Sequence, residues 1–204
     1  MDSPCCEAYC CLSYEDLSRR RSPRTIHSNF RKLLIQPFRN SGSYTGQAEE
    51  VHVMNVYLGA DHRGYSLKVK IKAWLVEWGY EVEDVGAHRF DPADDYVDVA
   101  EKVAMQVAND KTSRGILLCG SGHGVDMTAN RFPGVRAILG FNTQVVAQGR
   151  EHEDANVLCL PAEWITPVEA EEMVRLFLFT RFSGKERYVK RLVKLQQIRI
   201  GPLK

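Results

Sequence analysis

A glycine-rich segment, Cys119-Gly120-Ser121-Gly122-His123-Gly124, combines a nucleophilic side chain with three alternating glycines. It follows an apolar, strand-like run and precedes a predicted helix over residues 125–131. Alternating glycines expose successive backbone N–H groups at the start of a helix, which makes an anion-binding cradle. These amides and the helix dipole favour the thiolate form of Cys119, and a thiolate there can act as a base. The alternative is a half-buried structural cysteine, and the pattern alone leaves both interpretations open.

The glycine spacing excludes two common nucleotide-binding loops. The dinucleotide fingerprint needs its third glycine one residue later, where this chain has Val125, and no Lys-Ser/Thr pair completes a P-loop. Cys159 also lies in an apolar run, but Leu160 and Pro161 follow it instead of glycines. We therefore interpret Cys159 as a structural cysteine.

A second polar loop, Gly59-Ala60-Asp61-His62-Arg63-Gly64, follows the first predicted strand. In a parallel sheet this loop lies at the same edge as the Cys119 loop. The carboxylate of Asp61 and the imidazole of His62 could therefore converge on one ligand. The alternative, in which Asp61 only caps the following helix, remains open.

A basic helical face is predicted near the C-terminus, where Arg187, Lys190, Arg191 and Lys194 recur at three- and four-residue spacing. Most basic helical faces are simply exposed to solvent and bind no ligand. Arg187 and Arg191 nevertheless have the forked geometry that grips a phosphate group.

Strand and helix patterns alternate from Met54 onward, which predicts a three-layer α/β/α sandwich with a five-stranded, mostly parallel, Rossmann-like sheet. The predicted strands cover residues 54–59, 80–85, 115–119, 135–139 and 156–160. The predicted helices lie at residues 64–78, around 100–107, at 125–131 and after the capping box at 166–169. On the first helix the apolar stripe includes Trp74 and Trp78, whereas Lys68, Lys72 and Glu77 are expected in solvent.

Residues 1–53 differ from the rest in lacking sustained periodicity and in ending in a polar, glycine-containing segment. We expect a flexible or dispensable N-terminal extension, followed by one domain over residues 54–198. Four of the six cysteines (Cys5, Cys6, Cys10 and Cys11) lie in this extension. Their spacing lacks the separated ligand pairs of a zinc finger, so a metal or lipid there is the lesser alternative.

Length and charge limit the remaining possibilities. A chain of 204 residues with a net charge of +1 gives no electrostatic indication of a nucleic-acid partner. Its apolar runs end well short of the roughly 18 residues that suggest a membrane span. We expect a cytoplasmic protein that needs no metal or other cofactor, because the sequence has no convincing His, Asp and Glu ligand cluster.

Four motifs occur in order and at family spacing, and through them the chain resembles the ribose-5-phosphate isomerase B family, which includes the LacA and LacB galactose-6-phosphate isomerase subunits. The motifs are Gly59-Ala60-Asp61-His62, Cys119-Gly120-Ser121-Gly122, the segment from Ala129 to Ala137, and Arg150-Glu151-His152-Glu153-Asp154-Ala155-Asn156-Val157. The resemblance covers about residues 54–195.

The resemblance implies an aldose-ketose isomerase of small phosphorylated sugars in which Cys119 moves a proton between C1 and C2. Ser121 and the loop amides of residues 120–124 would hold the enediolate oxygens, and His152, assisted by Asp61, would open the sugar ring. It also implies a homodimer, or a dimer of dimers, with the site at the subunit interface. The implied phosphate ligands are His62, Arg187 and Arg191, and Tyr96 would line the sugar pocket.

Several residues depart from the family pattern. Glu153 stands where relatives usually carry Asn, and Pro161-Ala162-Glu163 replaces a common Gly-x-Arg segment, so Glu163 takes the place of a cationic substrate contact. Carboxylates repel an anionic ligand unless they bind sugar hydroxyls, so the identity of the sugar stays open. His123 and Val97 also mark a divergent branch.

Two other functions remain to be distinguished. A non-catalytic sugar-phosphate sensor or partner subunit would keep its binding and its effect when Cys119 is replaced by Ser, whereas an enzyme would lose turnover. A nucleotide-binding module, already disfavoured by the glycine spacing, would show thermal shifts with nucleotides.

Overall fold

The computed structural model describes residues 54–198, so the predicted N-terminal extension and its four cysteines lie outside the described residues. Within this range five strands form one sheet in which every neighbouring pair is parallel. The strands are β1 (Asn55–Ala60), β2 (Glu81–Asp84), β3 (Arg114–Cys119), β4 (Ala137–Leu139) and β5 (Val157–Pro161). The predicted five-stranded α/β fold is confirmed, and its sheet is wholly parallel.

Helices cover both faces of this sheet. The described residues form α1 (Tyr65–Glu77), α2 (Tyr96–Asn109), α3 (His123–Ala129), α4 (Thr143–Glu153), α5 (Pro167–Phe179) and α6 (Glu186–Gln197). The side chains of Asp95 and Asn142 cap α2 and α4, and the predicted capping box between Thr166 and Glu169 opens α5. Among these six, none has the length and apolarity needed to cross a membrane.

The core consists of two layers, one on each side of the sheet. Successive side chains of a strand point to opposite faces. Ile116 and Leu118 of β3 therefore pack with α1, α4 and α5, whereas Leu117 and Cys119 pack with α2 and α3. This arrangement confirms the three-layer sandwich and directs the Cys119 side chain toward the α2 and α3 side.

Lys68 contradicts the prediction that it faces solvent on α1. Its side chain is only 1% exposed, and its Nζ donates to Asp84 Oδ1 at 2.8 Å and to the carbonyl of Ala87 at 2.5 Å. The prediction was wrong because the partner carboxylate comes from β2, and the aliphatic stem of lysine packs like an apolar side chain. Trp74 and Trp78, by contrast, pack against the core as predicted.

The strand order β2-β1-β3-β5-β4 determines where a ligand can bind. After β1 the chain adds β2 on one side and β3 on the other, so the topological switch point lies between β1 and β3. Open parallel sheets bind ligands at such a point, beyond the carboxyl ends of the strands. The loop after β5 lies beside the loop after β3, because Cys119 pairs in register with Pro161.

Candidate active site

The Cys119 sulfur lies at the end of β3, beneath the first turn of the glycine loop. Gly122 has a φ of 76°, in the left-handed region that favours glycine. Its N–H donates to Cys119 Sγ at 3.0 Å. An amide that donates to sulfur stabilises the negatively charged form. Cys119 is 5% exposed, so this sulfur lies at the boundary between core and loop.

Tyr96 covers another glycine of the loop. A Cβ atom at Gly124 would lie 2.5 Å from Cε2 and 2.7 Å from Cζ of Tyr96, so only glycine leaves room for the ring. Tyr96 is the first residue of α2 and is partly exposed. Ser121 is half-buried, and His123 is exposed at the start of α3. The structure thus places Tyr96 at the rim of the Cys119 loop.

The loop after β1 contributes a buried carboxylate. Asp61 Oδ1 accepts the N–H of Gly64 at 2.9 Å, so this side chain stabilises the turn that leads into α1. Burial raises the pKa of Asp61, and the hydrogen bond from Gly64 opposes that effect. Asp61 therefore binds the N–H of Gly64, the residue that precedes α1, which is close to the helix-capping role that the sequence left open. It also lies at the carboxyl edge of the sheet.

Asp94 holds the neighbouring histidine by two contacts. Its Oδ1 accepts the backbone N–H of His62 at 2.8 Å and lies 2.7 Å from His62 Nδ1. This hydrogen bond raises the pKa of His62, because the carboxylate stabilises the imidazolium. The other oxygen of Asp94, Oδ2, is buried and has no protein partner among the described residues. A histidine whose charged form is favoured in this way is suited to an anionic ligand.

Arg63 and Glu163 form a bidentate ion pair above the glycine loop. Arg63 Nε donates to Glu163 Oε1 at 2.6 Å, and Nη2 donates to Oε2 at 2.5 Å. A Cβ atom at Gly120 would lie 2.7 Å from both Cζ and Nε of Arg63. The sequence predicts that a carboxylate at position 163 repels an anionic ligand unless it binds sugar hydroxyls, and in the structure the guanidinium of Arg63 balances that charge.

His152 and the two predicted phosphate-binding arginines surround Tyr188. The rings of His152 and Tyr188 stack with centroids 4.3 Å apart and an angle of 18°. Arg187 Nη2 donates to Tyr188 Oη at 2.6 Å, and the guanidinium of Arg191 lies 5.8 Å from the Tyr188 ring centroid. We call these four residues the Tyr188 cluster. The structure brings His152, Arg187 and Arg191 together, as a shared ligand requires.

The predicted site residues thus belong to two groups. The first, which we call the cysteine-loop cluster, lies at the carboxyl edge of the sheet and comprises Asp61, His62, Tyr96, Cys119, Gly120, Ser121, Gly122, His123 and Gly124. The second is the Tyr188 cluster on α4 and α6. Glu153, the other departure noted in the sequence, ends α4 with an exposed side chain. In the described residues no three His, Cys, Asp or Glu side chains are grouped as metal ligands would be.

Sequence reasoning missed three residues that belong to these clusters or contact them. Asp94 is one of several acidic residues in a loop, and only the fold shows that it faces His62. Arg63 follows the predicted Asp61-His62 pair directly, but its partner is 100 residues away. Tyr188 lies between basic residues on α6, and it is the only buried residue of that helix.

Cys159 has the surroundings of a structural cysteine. It is fully buried in β5, and burial raises the pKa of its thiol well above the ordinary value. These surroundings agree with the interpretation of Cys159 as a structural cysteine, whereas the role of Cys119 as a base stays a prediction.

Known proteins share both the fold and the sequence of this domain. A family model described as Ribose/Galactose Isomerase matches residues 56–195. The ribose-5-phosphate isomerase B of Mycobacterium tuberculosis is 40% identical over 139 residues, which cover 68% of this chain and 86% of that protein. The solved structure of the Mycoplasma genitalium ribose-5-phosphate isomerase B with bound ribulose-5-phosphate has a TM-score of 0.69 and 39% identity, covering 71% of this chain and 96% of that one. The solved structure of the Clostridium thermocellum ribose-5-phosphate isomerase B has a TM-score of 0.68 and 38% identity, and the match covers 70% of this chain and 95% of that one.

The parallel sheet, the cysteine loop and these similarities define an isomerase of the aldose-ketose class. The family follows from the extent of the match, which spans nearly all the described residues. This chain belongs to the ribose/galactose isomerase family.

Proposed function

We propose that this protein interconverts ribose 5-phosphate and ribulose 5-phosphate in the cytoplasm, with Cys119 as the base. The thiolate takes the proton from C2 of the open-chain aldose, and an enediolate forms. The resulting thiol returns a proton to C1, while the hydroxyl proton on O2 is transferred to O1. The observation that supports this role is the position of the Cys119 sulfur at the glycine loop. There it accepts a hydrogen bond from the backbone N–H of Gly122 at 3.0 Å.

The surrounding charges support a phosphorylated sugar as the substrate. Asp94 raises the pKa of His62, which favours a cationic imidazolium beside the loop. Arg187 and Arg191 add two guanidinium groups, which bind phosphate through forked hydrogen bonds. The ion pair with Arg63 removes the repulsion expected from Glu163. A relative with bound ribulose-5-phosphate gives this substrate priority over tetrose and hexose phosphates.

Ser121 and the remaining loop amides are proposed to hold the enediolate oxygens. His152, with Asp61, is proposed to open the sugar ring by acid catalysis. Burial raises the pKa of Asp61, which is the direction that acid catalysis by a carboxyl group needs. Tyr96, which lies against Gly124, is proposed to line the sugar pocket.

Isotope exchange tests this function directly. The full chain is incubated in deuterated buffer with tetrose, pentose and hexose phosphates, and deuterium at C1 and C2 is followed by NMR. We expect exchange with ribose 5-phosphate and ribulose 5-phosphate, because the proton that Cys119 removes from carbon can be replaced by solvent deuterium before one is returned. Exchange with none of the sugars would refute the proposal, and thermal stabilisation without exchange would indicate a sensor instead.

We further propose that the site is completed across a homodimer interface. Helix α6 buries only Tyr188, whereas Val189, Val193, Leu195 and the following Ile198 are 42–68% exposed. A helix with so much exposed apolar surface normally packs against another surface. A second copy would then bring its Tyr188 cluster to the cysteine-loop cluster.

Mixing two inactive variants tests this assembly. Cys119→Ala and His152→Ala are each expected to be inactive, and co-refolding equal amounts would restore about a quarter of the activity in a two-fold dimer. Such complementation requires that the two residues of one site come from different subunits. An inactive mixture, despite a dimeric mass by sedimentation, would contradict a shared site.

A further inference from the structure

The ion pair between Arg63 and Glu163 is not needed to hold its two loops in place. The backbone N–H of Asp61 already donates to the carbonyl of Leu118, and that of Glu163 donates to the carbonyl of Gly120. The side chains of the pair are 52% and 43% exposed. Ion pairs with this exposure contribute little to stability. The main consequence of the pair is therefore a fixed position for the guanidinium group.

That position lies directly on the glycine loop, next to the proposed base. The space that a side chain at Gly120 would need is occupied by Cζ and Nε of Arg63. The pKa of Arg63 is raised mainly by Glu163, and Asp61 and Cys119 add smaller electrostatic effects in the same direction. The guanidinium is thus in electrostatic range of the proposed reacting centre.

The contacts of the pair also indicate what this guanidinium can bind. Glu163 accepts from two of the five N–H groups, so three remain for another acceptor. Because the carboxylate balances the positive charge, the pair has no net attraction for a phosphate dianion. Its remaining donors are better matched to a carbonyl or hydroxyl oxygen that becomes negative only during the reaction.

We infer that Arg63 is a substrate-binding residue that donates to an oxygen on C1 or C2 of the sugar, and that Glu163 is the positioning residue that holds it there. This inference rests on the proposed isomerase function. It assigns the specificity for the carbonyl end of the substrate to a side chain from the β1 loop. The phosphate end is left to His62, Arg187 and Arg191.

A double-mutant cycle on the full chain tests both roles. The variants are Arg63→Ala, Glu163→Ala and the double variant, with Arg63→Lys and Glu163→Gln as conservative forms. Each is assayed for kcat and KM with ribose 5-phosphate, for inhibition by inorganic phosphate and for thermal unfolding. We expect kcat to fall about 100- to 1,000-fold for Arg63→Ala, in line with the loss of an oxyanion donor. Arg63→Lys keeps the charge without the fork and is expected to recover part of this loss.

Glu163→Ala is expected to lower kcat about tenfold in the wild-type background and to have no further effect when Arg63 is already Ala. The kcat of Glu163→Gln should lie between those of the wild type and Glu163→Ala. Inhibition by inorganic phosphate should stay within about twofold throughout, because the phosphate ligands are unchanged.

Four results would overturn the inference. The first is a kcat for Arg63→Ala within about twofold of the wild-type kcat, and the second is a kcat for Arg63→Lys no higher than that for Arg63→Ala. The third is a decrease in kcat from Glu163→Ala that is as large in the Arg63→Ala background as in the wild type. The fourth is a loss of inhibition by inorganic phosphate as large as the loss of kcat. An inactive wild type would instead refute the proposed function itself. Thermal unfolding separates any misfolded variant from these outcomes, and the conservative variants then decide.

Discussion

Replacing the two buried cysteines one at a time gives the sharpest test of the chemistry, because they differ in position but not in type. Cys119→Ser keeps an atom that accepts the Gly122 N–H, so the free energy of unfolding should change by less than about 1 kcal/mol. The general base is lost, which should lower kcat about 10²- to 10⁴-fold. That factor corresponds to about 3 to 5 kcal/mol of activation free energy.

Cys159→Ser should have the opposite pattern. Cys159 is fully enclosed in β5, so a hydroxyl group there loses its water and destabilises the fold by about 1 to 3 kcal/mol. The activity of the folded fraction should equal that of the wild type. Urea unfolding and initial rates with ribose 5-phosphate measure the two quantities. A Cys119→Ser enzyme within tenfold of the wild-type kcat, or a folded Cys159→Ser enzyme without activity, would refute the reasoning.

Three further predictions, which use four substitutions, test other parts of the structure. Asp94→Asn should lower the pKa of His62 toward the ordinary value of about 6.5, because the carboxylate that holds the imidazolium is lost. In the wild type the His62 imidazolium is lost only when the pH rises through this raised pKa, so in the Asp94→Asn variant it should be lost at a lower pH. An NMR titration of His62 that is the same in both proteins would contradict this. Lys68→Ala should lower the free energy of unfolding, measured in urea, by about 3 to 5 kcal/mol, because it leaves the buried carboxylate of Asp84 without its main partner. Lys72→Ala, at a side chain that is 46% exposed, should lower it by less than about 1 kcal/mol. Equal costs would show that burial does not decide the difference. Gly122→Ala should cost at least about 1 to 3 kcal/mol, because of the positive φ and because the added methyl group would overlap the Leu139 side chain, and a neutral change in thermal unfolding would oppose that explanation.

Most of the fold could be predicted from local sequence patterns. The core strands β3 and β5 are short apolar runs, and α2 and α5 have clear helical periodicity. Helix α4 is missing from the prediction because its buried residues, Val146, Gly149 and Arg150, form no apolar stripe. Local patterns identify a helix where one of its faces, apolar or charged, repeats at helical spacing, and α4 has no such face.

The candidate site was predictable to the extent that it lies in single loops. Cys119 and its glycines are contiguous, and so are Asp61 and His62. The partners of these residues come from elsewhere: Asp94 lies 32 residues from His62, and Glu163 lies 100 residues from Arg63. One sequence without tertiary contacts contains no signal for such pairs.

The contact between Arg63 and the backbone of Gly120 also restricts how this site can evolve. Any side chain at position 120 must displace the guanidinium, so its cost depends on which residues occupy positions 63 and 163. The three positions therefore form an epistatic unit. In a combinatorial library, substitutions at position 120 should be tolerated mainly in clones where position 63 has lost its long side chain, so that Gly120 and Arg63 are gained or lost together.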